Sequence, residues 1–391
     1  MTSLELRCGL CGKAYLLRDL VYRCGKCDYP LEFPSPAVTG VSSLTRHGER
    51  GVWRFRGMLP LGEPANTVTL DEGGTPLHHA AMLGKQLGLN QFYLKDETRN
   101  PTGSFKDRGT SVGVSVAREN GLPGIGCVST GNMANSIAAY AAKAGMRALV
   151  FVPATTPHGK LVPMLAYGAT VIVMGRPYAE IFETGLELGQ ELGFLWLHSD
   201  AHLRVEGQKT TAFEIWEQMG RAVPDVVVVP TSSGGNISAI WKGFKELEAI
   251  GLIGRLPRMV AVQAEGASPI ARAFKTNQDT VKPFGDTRTE AHSISNPDPP
   301  SGRRVLRLLR ESGGLAETVT DREMLESQAA LARYEGILAE MASVSGIAVL
   351  KGLVKSGQIE ENARVVSIVT GTGLKDMETV ARGSPGPLRF D

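Results

Sequence analysis

The sequence predicts an α/β protein: an open, mostly parallel sheet with helices on both faces, preceded by a small metal-binding module. Three observations carry this expectation. From about residue 71 onward, short apolar runs alternate with amphipathic stretches. Several runs end in loops of small, hydrogen-bonding residues that lead into helical patterns. Four of the five cysteines fall within the first 27 residues.

Composition bounds the rest. A chain of 391 residues is long enough for two or three domains with sizeable cores. With 42% hydrophobic and 21% charged residues it matches an ordinary globular protein, which excludes wholesale disorder. The 42 Lys+Arg against 40 Asp+Glu give a formal charge of +2, so nothing electrostatic points to nucleic acid or a membrane surface. Apolar stretches such as Val226–Val229 are strand-sized and too short to span a membrane. Glu5, Arg7, Lys13, Arg18 and Asp19 would interrupt the apolar core of a signal peptide. A cytoplasmic location is therefore expected, where paired cysteines bind metal more readily than they form disulfides. Glycine is the outlier: 46 of 391 residues, about 12% against an average of roughly 7%.

The N-terminal module, residues 1–35, rests on Cys8-Gly-Leu-Cys11 and Cys24-Gly-Lys-Cys27. Each CxxC turn lets two thiolates converge on one ion, and two such knuckles complete a closed four-sulfur site. Such a site has no open coordination position, so the expected Zn2+ is structural rather than catalytic. Residual free thiols are the alternative. Cys127 lies in an apolar run and reads as a small buried residue.

Pro30, Pro34 and Pro36 mark a break, and residues 36–70 read as an irregular linker arm lying over another domain. Beyond it, strands are expected at Gln91–Asp96, Ile125–Ser129, Ala148–Pro153, Ala169–Met174, Phe194–Leu197, Asp225–Pro230, Met259–Ala264 and Arg364–Val369. Helical patterns lie between several of them, at Asn135–Ala144, Tyr178–Leu192, Gly207–Met219 and Ser238–Ala249. Asp279–Pro300 reads as a long loop beside a site or between domains.

Ligands of such folds bind where strands end in loops that open helices. Three junctions qualify: Ser129-Thr130-Gly131-Asn132, Thr231-Ser232-Ser233-Gly234-Gly235-Asn236 and Thr370-Gly371-Thr372-Gly373. The second has the make-up of a phosphate cradle, because its glycines free backbone N–H groups to turn inward ahead of a helix N-terminus. No GxGxxG with a following acid, no GxxxxGK[ST] and no GxSxG occurs, which argues against dinucleotide, P-loop and serine-hydrolase chemistry. His78-His79 has no matching carboxylate cluster and reads as surface. In Asn100-Pro101-Thr102-Gly103-Ser104-Phe105-Lys106, a helix is expected to begin at Ser104, which puts Lys106 in its first turn. A cation there meets the unfavourable end of the helix dipole, and desolvation beside Phe105 adds to that. Both effects lower an amine's pKa, as a Schiff-base lysine requires. A surface lysine paired with Asp107 and Arg108 also fits those residues.

The stretch Asn100-Pro101-Thr102-Gly103-Ser104-Phe105-Lys106-Asp107-Arg108-Gly109 resembles the lysine motif of threonine synthases, within the fold type II, tryptophan-synthase-β-like pyridoxal-phosphate enzymes. The likeness continues through Glu72–Leu77, Ser129–Asn132, Glu206–Thr210 and Thr370–Asp376, and so covers about residues 71–380. It implies two open, mostly parallel twisted sheets flanked by helices, in a catalytic region over 71–391 with a small subdomain at about 111–200. It also implies pyridoxal 5′-phosphate, a small phosphorylated amino-acid substrate and a homodimer. Lys106 would hold the cofactor covalently and carry protons, and Asn132 would bond its ring hydroxyl. Ser232, Ser233, Gly234, Gly235 and Asn236 would hold its phosphate. Thr370 would meet the pyridine nitrogen, with Thr372 as the other candidate. Ser129 and Thr130 would take the substrate carboxylate, and Ser199, Arg204 and Arg108 its phosphate.

The chain departs from the family pattern at Thr372, where many members have histidine, and in the phosphate loop. It also departs at Ala201, where asparagine is usual, and at Glu340-Met341-Ala342-Ser343, where Glu-Pro-Ala-Ser is usual. The resemblance implies conversion of O-phospho-L-homoserine and water to L-threonine and phosphate. A cysteate-synthase-like replacement on O-phospho-L-serine with sulfite, or another small-amino-acid elimination or replacement, is the alternative. A non-enzymatic zinc-ribbon adaptor is the remote one.

Overall fold

The computed structural model describes residues 4–36, 44–176, 178–199 and 201–384. The chain divides into two compact units. One takes Met1–Gly74, Asn100–Phe213 and Lys242–Gly254; the other takes Thr75–Arg99, Glu214–Trp241 and Arg255–Asp391.

The first unit is built on four parallel strands in the order Thr170–Met174, Arg147–Pro153, Gly124–Val128, Leu195–Trp196. Gly124–Val128 is buried along its whole length, as a parallel strand covered on both faces should be. Part of the glycine excess is explained here. A Cβ at Gly126, Gly185 or Gly189 would stand 2.1, 2.6 or 2.7 Å from the Trp196 ring. The fully buried indole therefore fills a slot that only glycine leaves open. Glu5–Cys8 is the centre of a separate three-stranded antiparallel sheet with Ala14–Leu16 and Leu31–Glu32. Leu6 and Leu31 of that sheet, and Phe33 just beyond it, share one core with Val112 and Val116 of the Lys106–Glu119 helix. Trp53 from the arm joins that core and donates Nε1–H to Ser111 Oγ at 2.8 Å. Residues 37–43 of the expected arm lie outside the described residues.

The second unit holds a six-stranded sheet in the order Leu315–Val319, Arg258–Ala264, Val226–Pro230, Arg364–Val369, Gln91–Asp96, Leu77–His79. All neighbours are parallel except Leu77–His79, which runs antiparallel along one edge. The valine run at 226–229 lies at the centre and is buried throughout.

The eight expected strands are all present, within one or two residues at their ends. Among the described residues five strands were not foreseen: the three of the N-terminal sheet, and Leu77–His79 and Leu315–Val319, which are the two edges of the six-stranded sheet. Helices start earlier than the apolar pattern suggests: at Asn132 rather than 135, His202 rather than 207, and Gly235 rather than 238. The small polar residues read as loop are themselves the first helical turn. The lysine helix corrects the other way. It starts at Lys106, not Ser104, because Gly103 takes a positive φ of 74° and the Asp107 carboxylate accepts the Thr102 N–H. That pairing holds residues 102–105 in a turn. Asp279–Pro300 is a loop with one short 3-10 turn, His292–Ile294. Among the described residues no helix is long and apolar enough to cross a membrane.

Candidate active site and cysteine cluster

Each unit carries its own share of the expected residues. In the first unit Lys106 is the opening residue of its helix, half-buried, with Nζ 4.1 Å from the centroid of the Phe105 ring. Asp107 and Arg108 are fully buried, not at the surface where the alternative reading of Lys106 set them. Asp107 accepts from Thr102 N–H at 2.7 Å, Thr102 Oγ1 at 2.6 Å and Ser136 Oγ at 2.6 Å. Ser136 also bonds Thr110 at 2.8 Å. It lies one turn beyond Asn132, the first residue of the Asn132–Ala144 helix. Two packed helices are thereby locked together near their starts, one opening with Lys106 and the other with Asn132.

Ser129, Thr130 and Gly131 form the half-buried turn before Asn132, with Gly131 N–H donating to Ser129 Oγ at 3.3 Å. Gly109 and Gly207 mark where the lysine helix meets the His202–Gln218 helix. A Cβ on Gly207 would lie 2.0 Å from the Arg108 carbonyl oxygen, and one on Gly109 2.7 Å from that of Arg204. Across this contact Arg108 Nη1 donates to Thr210 Oγ1 at 3.1 Å, and the buried Arg204 donates to the His198 carbonyl at 2.8 Å. Ser199 is half-buried just ahead of that helix. Glu72, from the Glu72–Leu77 motif, is fully buried and accepts Tyr140 O–H at 2.7 Å. Burial, reinforced by the Glu72 charge, pushes the Tyr140 phenol far above its ordinary value, so it stays protonated and donates to Glu72.

In the second unit the Val226–Pro230 strand ends in Thr231–Gly234, and Gly235 opens a 15-residue helix. Gly234 takes φ +90°, a conformation that disfavours any side chain. Asn236 lies in that helix's first turn, and its side-chain Nδ2 and Oδ1 are buried with no hydrogen-bond partner among the described residues. Ser233 accepts from Asn296 Nδ2 at 2.7 Å, which ties the Asp279–Pro300 loop to this one. Thr370 is buried, with Oγ1 2.7 Å from Ser343 Oγ, and Ser343 in turn accepts the Gly371 N–H at 2.8 Å. Thr372 differs: its hydroxyl accepts from Leu374 N–H at 3.3 Å and caps the following turn. His78 is exposed as expected, although its Nε2 lies 3.6 Å from Asp96 Oδ2.

Sequence reasoning missed Asp107, Ser136 and Ser343 as positioning groups. Ser136 had a local signal, one turn beyond Asn132. Ser343 had only its place in the turn that replaces Glu-Pro-Ala-Ser.

The four N-terminal cysteines converge. Their sulfurs all lie within 4.8 Å of one another, with Cys8–Cys27 at 3.3 Å and Cys11–Cys24 and Cys11–Cys27 at 3.7 Å. Four thiolates about 2.3 Å from one ion would stand about 3.8 Å apart, so the set fits a tetrahedral metal. Tyr15 O–H, 3.2 Å from Cys24 Sγ, holds that thiol down to about 6. The Cys8 sulfur, aided by Cys24 and Cys11, pushes Cys27 up to about 12. That crowding is what a cation relieves. Cys127 is buried, and burial pushes its thiol up to about 12, as suits an inert core residue.

The pyridoxal-phosphate dependent enzyme family model matches residues 68–371. Threonine synthase of Methanocaldococcus jannaschii is 42% identical over 389 residues, covering 98% of this chain and 96% of that one. The chain belongs to the threonine synthase family. Within it, threonine synthase of Methanosarcina acetivorans is 40% identical over 96% of this chain and 93% of its own. The family's fold extends further. The processed form of threonine deaminase isoform 2 from Solanum lycopersicum superposes with a TM-score of 0.68 at 23% identity, over 79% of this chain and 87% of that one.

Proposed function

We propose that the chain forms L-threonine and phosphate from O-phospho-L-homoserine and water, with pyridoxal 5′-phosphate as cofactor. The observation that carries this is 42% identity to a threonine synthase over nearly the whole of both chains. The cofactor fits the residues present: a half-buried lysine amine at a helix start, and a glycine turn beside a buried, unpartnered Asn236 side chain.

When bound, the cofactor supplies the electron sink for loss of the substrate's carbon-bound protons. Lys106 holds it covalently and then carries protons at Nζ. Asn132 bonds its ring hydroxyl, and Ser232, Ser233, Gly234, Gly235 and Asn236 hold its phosphate. Thr370, its hydroxyl fixed by Ser343, meets the pyridine nitrogen; Thr372 is already used as a turn cap. A neutral hydroxyl there would leave the ring less firmly protonated than a carboxylate would, which suits elimination and replacement. Ser129 and Thr130 take the substrate carboxylate, and Ser199, Arg204 and Arg108 orient its phosphate. Asp107 stays a fixed acceptor and keeps the lysine's turn in place. Cys8, Cys11, Cys24 and Cys27 hold a structural Zn2+ in a ribbon-like module at 1–35, ahead of the 36–70 arm and the 71–391 catalytic region. A cytoplasmic homodimer with no nucleic-acid or membrane partner completes the reading.

Phosphate release tests it, assayed with O-phosphohomoserine and with O-phosphoserine plus sulfite. Phosphate and threonine should appear in equal amounts from the first substrate alone, and Lys106→Ala should abolish both the cofactor's absorbance and turnover. Phosphate release from O-phosphohomoserine with no threonine formed would sink the proposal.

A further inference from the structure

The start of the Gly302–Glu311 helix carries chemistry that none of the roles above uses. Ser301, just before it, is fully buried, and Arg304 in its first turn is only 8% exposed. Ser301 Oγ and Arg304 Nε and Nη2 are buried and meet no hydrogen-bond partner among the described residues. A buried guanidinium with unpaired N–H groups is costly unless an anion answers it.

The surroundings say where that anion sits. Ser301 N–H donates to the Ser233 carbonyl at 3.0 Å. A Cβ on Gly234 would lie 2.6 Å from Val305 Cγ2 and 3.1 Å from Ser301 Cβ. Residues three and four apart share one helix face, so Arg304 lies on the face that Ser301 and Val305 turn toward Ser233-Gly234. The same loop opens the Gly235–Ala249 helix, where the Asn236 side-chain amide is also buried with no partner among the described residues. Two helix N-termini therefore flank one glycine turn, and both favour negative charge.

We propose that Ser301 and Arg304 complete a cradle for a phosphate monoester at the Ser232–Asn236 loop, with Arg304 as its cationic ligand. The inference rests on the assignment of that loop to the cofactor phosphate. It goes further by adding a charged donor from a different helix. Cofactor and substrate both bring a phosphate monoester; contact with Ser233 and Gly234 assigns this one to the cofactor. Arginine in a dry pocket holds such a group as the dianion and grips it with charge-assisted hydrogen bonds.

The test titrates the full-length apoprotein with pyridoxal 5′-phosphate and with pyridoxal, which lacks the phosphate. Wild type, Arg304→Gln, Arg304→Lys and Ser301→Ala are compared, with circular dichroism as the check on folding. Arg304→Gln should weaken pyridoxal 5′-phosphate by about ten- to a hundredfold and leave pyridoxal unchanged. Arg304→Lys should recover part of the loss, and Ser301→Ala should weaken binding by a smaller factor. The phosphorus resonance of the bound cofactor should stay dianionic from about pH 8 to about pH 6 in wild type and titrate in Arg304→Gln. A folded Arg304→Gln that binds the phosphorylated cofactor as tightly as wild type overturns the proposal, as does equal loss for both ligands. A rise confined to KM for O-phosphohomoserine would move the site to the substrate and overturn the assignment. A wild-type protein that binds neither ligand would remove the cofactor reading itself, and this inference with it.

Discussion

Asp107 directly follows Lys106, yet its carboxylate faces three fixed donors in the interior. Asp107→Asn would turn an amide donor toward one of them. The expected cost is about 1–3 kcal/mol in urea unfolding, and an unchanged midpoint would contradict the role. Asp225 gives a pH signature. Partial burial pushes its carboxyl up, but the Arg364 N–H at 2.8 Å and the Arg255 and Arg364 cations outweigh this and hold it below its ordinary value. A depressed carboxyl contributes stability that is present above the unfolded pKa and lost as pH falls through the folded one. Asp225→Asn should therefore cost on the order of 1 kcal/mol near neutrality, discounted for its exposure. That gap should stay constant down to about pH 4 and close below it. A gap that widens in acid would refute the account.

At the scale of elements, the sequence's legibility followed burial. The strands over 226–230 and 364–369 are apolar runs with turn residues at their ends, and that composition located them. The edge strands Leu77–His79 and Leu315–Val319 are short and carry polar residues, so they lack that signal. Helix starts at Asn132 and Gly235 were hidden because their first turns are made of residues that also make loops. Contacts between distant segments left no local trace, and Ser343 against Thr370 and Ser136 against Asp107 are of this kind. So is a buried ion cluster within the first unit. Lys209 pairs with Glu206 and, at 2.8 Å, with Glu246, while Lys242 pairs with Glu206 and donates to the Phe33 carbonyl at 2.7 Å. Lys209→Met would leave two buried carboxylates sharing a single cation. It should cost about 3–5 kcal/mol, and a loss under ~1 kcal/mol in equilibrium unfolding would show the cluster is not held by that lysine.

At the scale of the whole molecule, the N-terminal cysteines and the Lys106 helix are not independent. Cys8, Cys24 and Leu31 sit in the same core as Val112 and Val116. The proposed zinc therefore supports more than its own knuckles. Gently purified protein should hold one zinc per chain, and stripping it should lower the thermal midpoint by about 10 °C or more. Substoichiometric metal with an unchanged midpoint would contradict a structural ion. The most direct test of the function follows oxygen. With O-phospho-L-homoserine in ¹⁸O-water, the holoenzyme should form threonine carrying one ¹⁸O at the hydroxyl, and the released phosphate should be unlabelled, because the carbon–oxygen bond breaks and water adds to the next carbon. Label in the phosphate, with homoserine as product, would mean phosphoester hydrolysis and would contradict the account.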